Sequence, residues 1–347
     1  MATCAALGTV GRSPPDGRPA AGRGSLRCPA VRPWAGATGS ADALHRNLDA
    51  IEALSPDHVL VFGADHVYRM DPRQMLDQHV ARGAGVTVSA VRQPIELAHQ
   101  FGVIDAAADG QRIAAFREKP AHAAGLSDAP DQVFASMGNY AWRTDTLAEA
   151  LRADAADPTS AHDVGGDLIP AMVARQAADV YDFTGNHVPG EVPGGRGYWR
   201  DVGTLDAYHE AQMDLLGADP VFDLADPRWP IGAPDTRGPA PVRSAADGCV
   251  VGAGAAITGS VRRSVLSPGV RVDPSAQVDS CVLMDEVRVG PGCVIRNAVV
   301  DHGVELAAGT RIGVDPEADR ARYTVTEHGV VVIGRSPEVG SAQLAGV

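Results

Sequence analysis

From Gly39 to about residue 220, hydrophobic and polar positions follow two alternating rhythms. ADALHRNLDAIEAL spaces Leu44, Leu48, Ile51 and Leu54 by three or four residues, which predicts one amphipathic helix with all four on one face. It leads into Val59-Leu60-Val61-Phe62, an apolar run stopped by Gly63, as expected of a strand covered on both faces. PRQMLDQHVARG predicts a helix, GVTVSAVRQ a strand, and FGVIDAAADGQRIAAFREKP two strands joined at an Asp109-Gly110 turn. VFASMGNYAWR reads as a strand, TDTLAEALRAD as a helix with a Thr or Asp cap, and DLIPAMVARQ as a further helix. Strands alternating with helices predict an α/β domain on an open, mostly parallel sheet, Rossmann-like in its layering.

Past residue 220 the rhythm changes. DLADPRWPIGAPDTRGPAPVR is Pro-rich and reads as a linker over 221–243, and from 244 to 347 apolar residues return every 17 positions. Three columns carry the repeat: Val261, Val278, Ile295 and Ile312; Leu266, Leu283 and Val300; Val272, Val289 and Leu306. Within a coil they are spaced by five or six, which suits short strands stacked in a parallel β-helix and neither a helix nor a meander. Gly252, Gly290, Gly292, Gly309 and Gly313 fit its tight corners. Residues 1–38 show neither rhythm: rich in Pro, Gly, Ala and Arg, they read as an aberrant or disordered segment.

Length and charge narrow the class. A chain of 347 residues is long enough for two domains. A formal charge of −13 offers no basic footprint for nucleic acid or an anionic membrane. No apolar run approaches the roughly 18 residues of a membrane span, and the expected compartment is the cytoplasm. Cys4, Cys28, Cys249, Cys281 and Cys293 form no C-x-x-C pair, so they read as small hydrophobes.

Candidate chemistry gathers at strand ends. Asp65 follows the 59–62 run, where α/β sheets collect ligands, and Asp201 in GYWRDVGT offers a second carboxylate ahead of a helix. Two such acids can share one hard cation with substrate phosphates, which points to phosphoryl or nucleotidyl transfer. Gly102 interrupts a strand pattern, where a ligand or another backbone comes close. Ser136 places a hydroxyl near Gly138, and HDVGGDLIP forms a polar turn, with helix capping as its simplest role. Of 30 basic side chains only Lys119 is a lysine, beside Glu118 in FREKP, where a compact point charge on a phosphate suits Lys better than Arg.

The ordered set GSADALHRNLDAI, VFGADHVYRMD, FGVI, FREKP, ASMGNYAW, HDVGGDLIP and YWRDVGTLDAYHEAQMDLL closely resembles the bacterial glucose-1-phosphate adenylyltransferase family over residues 39 to about 335. The resemblance implies a partial sugar-phosphate nucleotidyltransferase domain over 39–220, followed by a left-handed parallel β-helix. It implies the reaction of ATP with α-D-glucose 1-phosphate to ADP-glucose and diphosphate, in glycogen synthesis. It assigns Asp65 and Asp201 to a Mg²⁺ ion, Glu118 and Ser136 to the glucose hydroxyls, Lys119 to the sugar phosphate and Gly102 to the pocket lining. Gly39 and Ser40 fall on the nucleotide side. The family's Gly-rich phosphate loop, G-G-x-G-x-R-L, has only a loose echo in GRPAAGRGSLR, so the alternative is a noncatalytic sugar-phosphate-binding or regulatory subunit. A homotetramer is expected, with an anionic effector for which Arg262, Arg263, Arg320 and Arg322 are candidates.

Overall fold

The computed structural model describes residues 6–10, 36–190, 195–217, 220–224, 226, 228–229, 242–244 and 248–335. The expected linker falls largely outside them. In chain order the elements that position the site are β1 (Ala6–Val10), α1 (Ser40–His45), α2 (Leu48–Ala53), β2 (His58–Phe62), β3 (His66–Tyr68), α3 (Pro72–Arg82), β4 (Val86–Pro94), β5 (Gly102–Ala106), β6 (Ile113–Glu118), β7 (Gln132–Arg143), α4 (Thr144–Ala155), α5 (Ile169–Ala174), β8 (Ala178–Asp182), β9 (Trp199–Asp201) and α6 (Leu205–Met213). They divide between two compact units, one formed by the described parts of Ala2–Asp65 and Met70–His187, the other by His66–Arg69 and those of Val188–Val347.

The first unit is an α/β layer structure on a sheet ordered β1-β2-β7-β4-β8, with β5 paired to β6 and β7. β4 and β8 are parallel, whereas β7 runs antiparallel to β2, β4 and β5. Thus β2, β4, β5 and β8 share the direction that strand–helix alternation predicts, and β7 is inserted against them. The cause lies between β4 and β7: the chain makes only the short helical turn Ile95–Gln100 and the β5–β6 hairpin there. It has no crossover α-helix to return β7 parallel. β1, in a stretch with no sequence period, pairs antiparallel with β2, Ala6 opposite Phe62.

Trp142 sits at the centre of one core, fully buried, with Val59 and Val86 as its cross-strand partners and Leu44, Leu48, Ile51, Leu147, Leu151 and Ile169 packed in the same cluster. The single helix expected over 41–54 is instead two, α1 and α2. Asn47 breaks it: its side chain donates to Ala43 O at 2.9 Å while its carbonyl accepts from Ala50 N and Ile51 N. Leu54, past the end of α2, is exposed. α4 begins without a side-chain cap at Arg143, so the expected Thr or Asp cap is not made. α3 is a well-bounded helix, with the Asp71 side chain accepting from Arg73 N and Gly83 left-handed at φ 64°.

The other face of the sheet, under α3, is polar where it meets His79. This histidine is fully buried, with Nδ1 2.8 Å from Thr87 Oγ1 and its ring edge-on to His58 at 5.1 Å. Burial, then the nearby His58 and Arg143, lower His79 from 6.5 to about 4.

In the second unit every predicted column is a hydrogen-bonded register. Val261 pairs with Val278, Val278 with Ile295 and Ile295 with Ile312, all parallel, and the Leu266 and Val272 columns align the same way. These side chains fill a continuous apolar interior. The coil turns three corners, and each is held by a left-handed residue that recurs every 17 positions: Arg263, Ser280 and Asn297; Gly269, Glu286 and Gly303; Ser275, Gly292 and Gly309. Gly252 and Gly290 serve differently, because a Cβ there would meet Pro268 N at 2.5 Å and Leu306 O at 2.8 Å. Cys249, Cys281 and Cys293 are buried and in no disulfide among the described residues, and burial pushes Cys281 up to about 12, so it stays an unreactive thiol.

The stability that neutral His79 confers is complete above pH 6.5. It is lost as pH falls toward 4, because the unfolded chain takes up a proton that the folded one refuses. The loss is on the order of 3 kcal/mol. Thermal unfolding of His79→Gln should therefore depend less steeply on pH across that window than the wild type; parallel profiles would show that His79 is not the titrating group.

Candidate active site

Two three-residue strands build one candidate cluster. β3 and β9 form an isolated antiparallel ribbon with His66 opposite Asp201, Val67 opposite Arg200 and Tyr68 opposite Trp199. The imidazole of His66 packs on the Trp199 indole at 4.9 Å. Gly203 N donates to Asp201 Oδ1 at 2.7 Å, which turns the chain sharply after β9 and leaves Oδ2 available. Asp65 is joined to His66 by one peptide bond. Ligand atoms of Asp65, His66 and Asp201 lie within 4.8 Å of one another, the one such group of three among the described residues. Two carboxylates and an imidazole, all reachable by solvent, fit a divalent cation that keeps further positions for phosphate oxygens. Sequence spacing offered both acids but not His66, whose signal is its register with Asp201.

A second, separate cluster is built on β7. Asn139, fully buried, accepts from Gly63 N at 3.3 Å and so ties the turn that leads to Asp65 to the sheet. Three residues upstream, Ser136 Oγ accepts from Gly138 N at 3.3 Å, with Gly138 left-handed at φ 68°. The Tyr140 phenol is pushed far up, first by burial, then by the negative charge of Asp163, with a hydrogen bond to Ser136 opposing and Glu118 adding to the rise. Ser136 and Asp163 therefore lie beside the Tyr140 hydroxyl, and the Glu118 charge reaches it. Tyr140 and Asp163 went unnoticed as site residues in the sequence because they lie in a strand and a capping turn, both of which explain them sufficiently.

Asp163 is such a cap, accepting from Gly166 N at 2.7 Å at the start of the helical turn Val164–Leu168. It also holds the start of α1: Ser40 Oγ donates to Asp163 Oδ2 at 2.8 Å and accepts from Val164 N at 2.8 Å, while Ala41 N donates to His162 O. Gly39 lies so close to this loop that a Cβ would meet His162 O at 2.2 Å and Ala161 O at 2.7 Å. His162 itself is fixed by Asp154, 2.8 Å from Nδ1, and that hydrogen bond raises its pKa.

Gly102 stands opposite Glu118 on the β5–β6 hairpin, and a Cβ there would meet the Phe116 ring at 2.6 Å and Glu118 Oε2 at 2.9 Å. The close approach that a strand glycine implies is thus made by the hairpin itself. Lys119 follows, exposed, with φ 44° and its N–H donating to Phe101 O at 3.0 Å. A left-handed lysine before a proline is uncommon backbone. Among the described residues its ammonium forms no ion pair or side-chain hydrogen bond. By contrast Arg262 pairs with Asp279 at 2.8 Å and Arg322 lies over the Tyr323 ring at 5.1 Å.

The nucleotidyl transferase family profile matches residues 28–217, and a GlmU-like C-terminal hexapeptide profile matches 237–333. A glucose-1-phosphate adenylyltransferase of Frankia casuarinae is 54% identical over 308 residues, 86% of this chain and 74% of that one. Those of Corynebacterium jeikeium and Streptomyces coelicolor are 48% and 50% identical over 86% and 87% of this chain, and over 75% and 76% of their own. The chain belongs to the glucose-1-phosphate adenylyltransferase family. Its nucleotidyl transferase region, as matched, includes both Asp65 and Asp201. The hexapeptide match covers the coils whose columns repeat every 17 residues. Among the described residues no helix is long and apolar enough to cross a membrane.

Gly39→Ala should cost about 1–3 kcal/mol, the usual range for overpacking, because backbone carbonyls and not flexible side-chain ends oppose the new methyl. A thermal midpoint equal to that of the wild type would show that the 36–41 and 161–163 segments part freely.

Proposed function

We propose that this chain catalyses adenylyl transfer from ATP to α-D-glucose 1-phosphate, releasing diphosphate and forming ADP-glucose for glycogen synthesis. The observation that carries the reading is the juxtaposition of Asp65, His66 and Asp201 in a chain of the glucose-1-phosphate adenylyltransferase family. In this reading Asp65 and Asp201 hold Mg²⁺, with His66 beside them. When bound, the cation supplies charge neutralisation for the phosphates.

The remaining work falls to positioning. A phosphate oxygen of glucose 1-phosphate attacks the α-phosphorus of ATP in line, and the bond to the bridging oxygen of the diphosphate breaks. No covalent intermediate on the protein is needed, so alignment and electrostatics carry the rate. Lys119 holds the sugar phosphate; its uncommitted ammonium supports that role. Glu118 and Ser136 take glucose hydroxyls, and Gly102 keeps the Glu118 carboxylate close to the hairpin backbone. Gly39 and Ser40 lie on the nucleotide side, braced by Asp163. The same reading places the protein in the cytoplasm as a homotetramer, with an anionic metabolite as effector.

Asp65→Asn and Asp201→Asn should each lower kcat by about 10²–10³-fold in a diphosphate-release assay, the scale of losing one electrostatic stabiliser. Lys119→Gln should instead raise KM for glucose 1-phosphate about tenfold or more with a smaller effect on KM for ATP, since a charge-assisted phosphate contact is lost. If the wild-type chain binds glucose 1-phosphate but releases no diphosphate, the noncatalytic subunit is the correct reading.

A further inference from the structure

The β3–β9 ribbon is too short to hold itself. Two strands of three residues form a ladder that is marginal alone, yet Asp201 at its end has to point one way to serve a cation. What holds β9 is found on the next helix. α6 carries Asp206 and Glu210, and its C-cap residue is Asp214, so three acids spaced by four residues form one edge of the helix.

The C-terminal half of that edge grips β9. Arg200, the residue before Asp201, reaches Glu210 through Nη1 at 2.7 Å and Asp214 through Nη2 at 2.8 Å. Tyr198 OH donates to Asp214 at 2.8 Å and accepts from Arg200 Nε at 3.3 Å. The N-terminal half grips the last turn of the solenoid. Thr326 Oγ1 donates to Asp206, His328 N donates to the same carboxylate at 3.4 Å, and His328 Nδ1 lies 3.3 Å from Glu210. That turn is stiff, because Thr326 Oγ1 also accepts from Val330 N at 2.9 Å and Thr326 N donates to Val330 O at 3.0 Å. α6 is fixed by other contacts too: Tyr208 and Met213 pack on Val282, Val299 and Val330, and His209 Nε2 is 2.8 Å from Ser280 O.

Successive residues in a strand point to opposite faces. Clamping Arg200 on one face of β9 therefore sets the roll of the strand and the direction of Asp201 on the other. We infer that α6 is a strut through which the last solenoid coil aims Asp201, and that Arg200, Glu210, Asp206 and Thr326 are positioning residues for the divalent cation. The inference rests on the reading of Asp201 as a cation ligand.

Mn²⁺ titration of the full chain, with free Mn²⁺ followed by its electron paramagnetic resonance signal, tests it without recourse to turnover. Asp201→Asn serves as the reference for loss of a ligand. Arg200→Met and Thr326→Val should weaken Mn²⁺ binding about tenfold or more, the usual effect of removing a group behind a metal ligand. Arg200→Lys should recover part of the affinity, and KM for glucose 1-phosphate should stay near the wild-type value in all three. Thr326→Val replaces a hydroxyl by a methyl on the solenoid and keeps the test decisive should Arg200→Met not fold. Wild-type Mn²⁺ affinity in folded Arg200→Met or Thr326→Val, with Asp201→Asn impaired, would overturn the strut and leave the cation reading intact. Wild-type affinity in Asp201→Asn would overturn the cation reading and, with it, the strut.

Discussion

The ladder between His66 and Asp201 is the constraint on which the site depends. It brings two segments more than a hundred residues apart into register through only three residue pairs. Each neighbour of that ladder is itself fixed. Asn139 holds Gly63 ahead of Asp65, Gly203 turns the chain back onto Asp201, and the Trp199 indole supports the His66 ring. Chemistry at the carboxyl ends of strands is the general habit of α/β sheets, and here β2 ends within three residues of its acid.

Much of the fold was legible because its signals are periodic. A 17-residue period can be read from apolar positions alone, and each column proved to be a parallel register. The hairpin around Gly110 was equally plain, since Gly110 is left-handed and Asp109 accepts from Gln111 N and Arg112 N. Local rhythm does not encode strand direction, however. Nothing in VFASMGNYAWR announces that it runs against its neighbours, which follows from the missing crossover helix before it. The break at Asn47 was hidden for a related reason: the apolar spacing of Leu44, Leu48 and Ile51 survives it, and only the side-chain bond to Ala43 O shows why the helix stops.

The candidate site was legible residue by residue but not as an arrangement. Asp65, Glu118, Lys119, Ser136 and Asp201 stand out as residue types in suggestive places. That Ser136 and Asp163 lie beside the Tyr140 hydroxyl, with Asp163 also bracing Ser40, depends on tertiary packing that no short window of sequence contains. The arginines illustrate the same limit. Arg82 joins Asp109 and Asp179, Arg92 joins Asp128 and Asp182, and Arg200 joins Glu210 and Asp214, so single arginines each hold two carboxylates, an arrangement that a charge count cannot see. Lys119, like Arg263 and Arg311, makes no such bridge among the described residues.

The left-handed corners of the solenoid give it a counting rule. Three corner columns recur every 17 residues from Arg263 to Gly309, whereas Val250 pairs with Val265 and Ala256 with Arg271 at a spacing of 15, so a coil can differ in length where its own left-handed corner, here Gly254, closes it. A change of a few residues inside a flat side with no matching shift of its corner would move the later corners out of line and rotate the last turn. Thr326 and His328 would then swing away from α6. The length of each coil, which looks like a detail of repeat architecture, is thereby tied to the aim of a carboxylate on a strand that lies outside the repeat altogether.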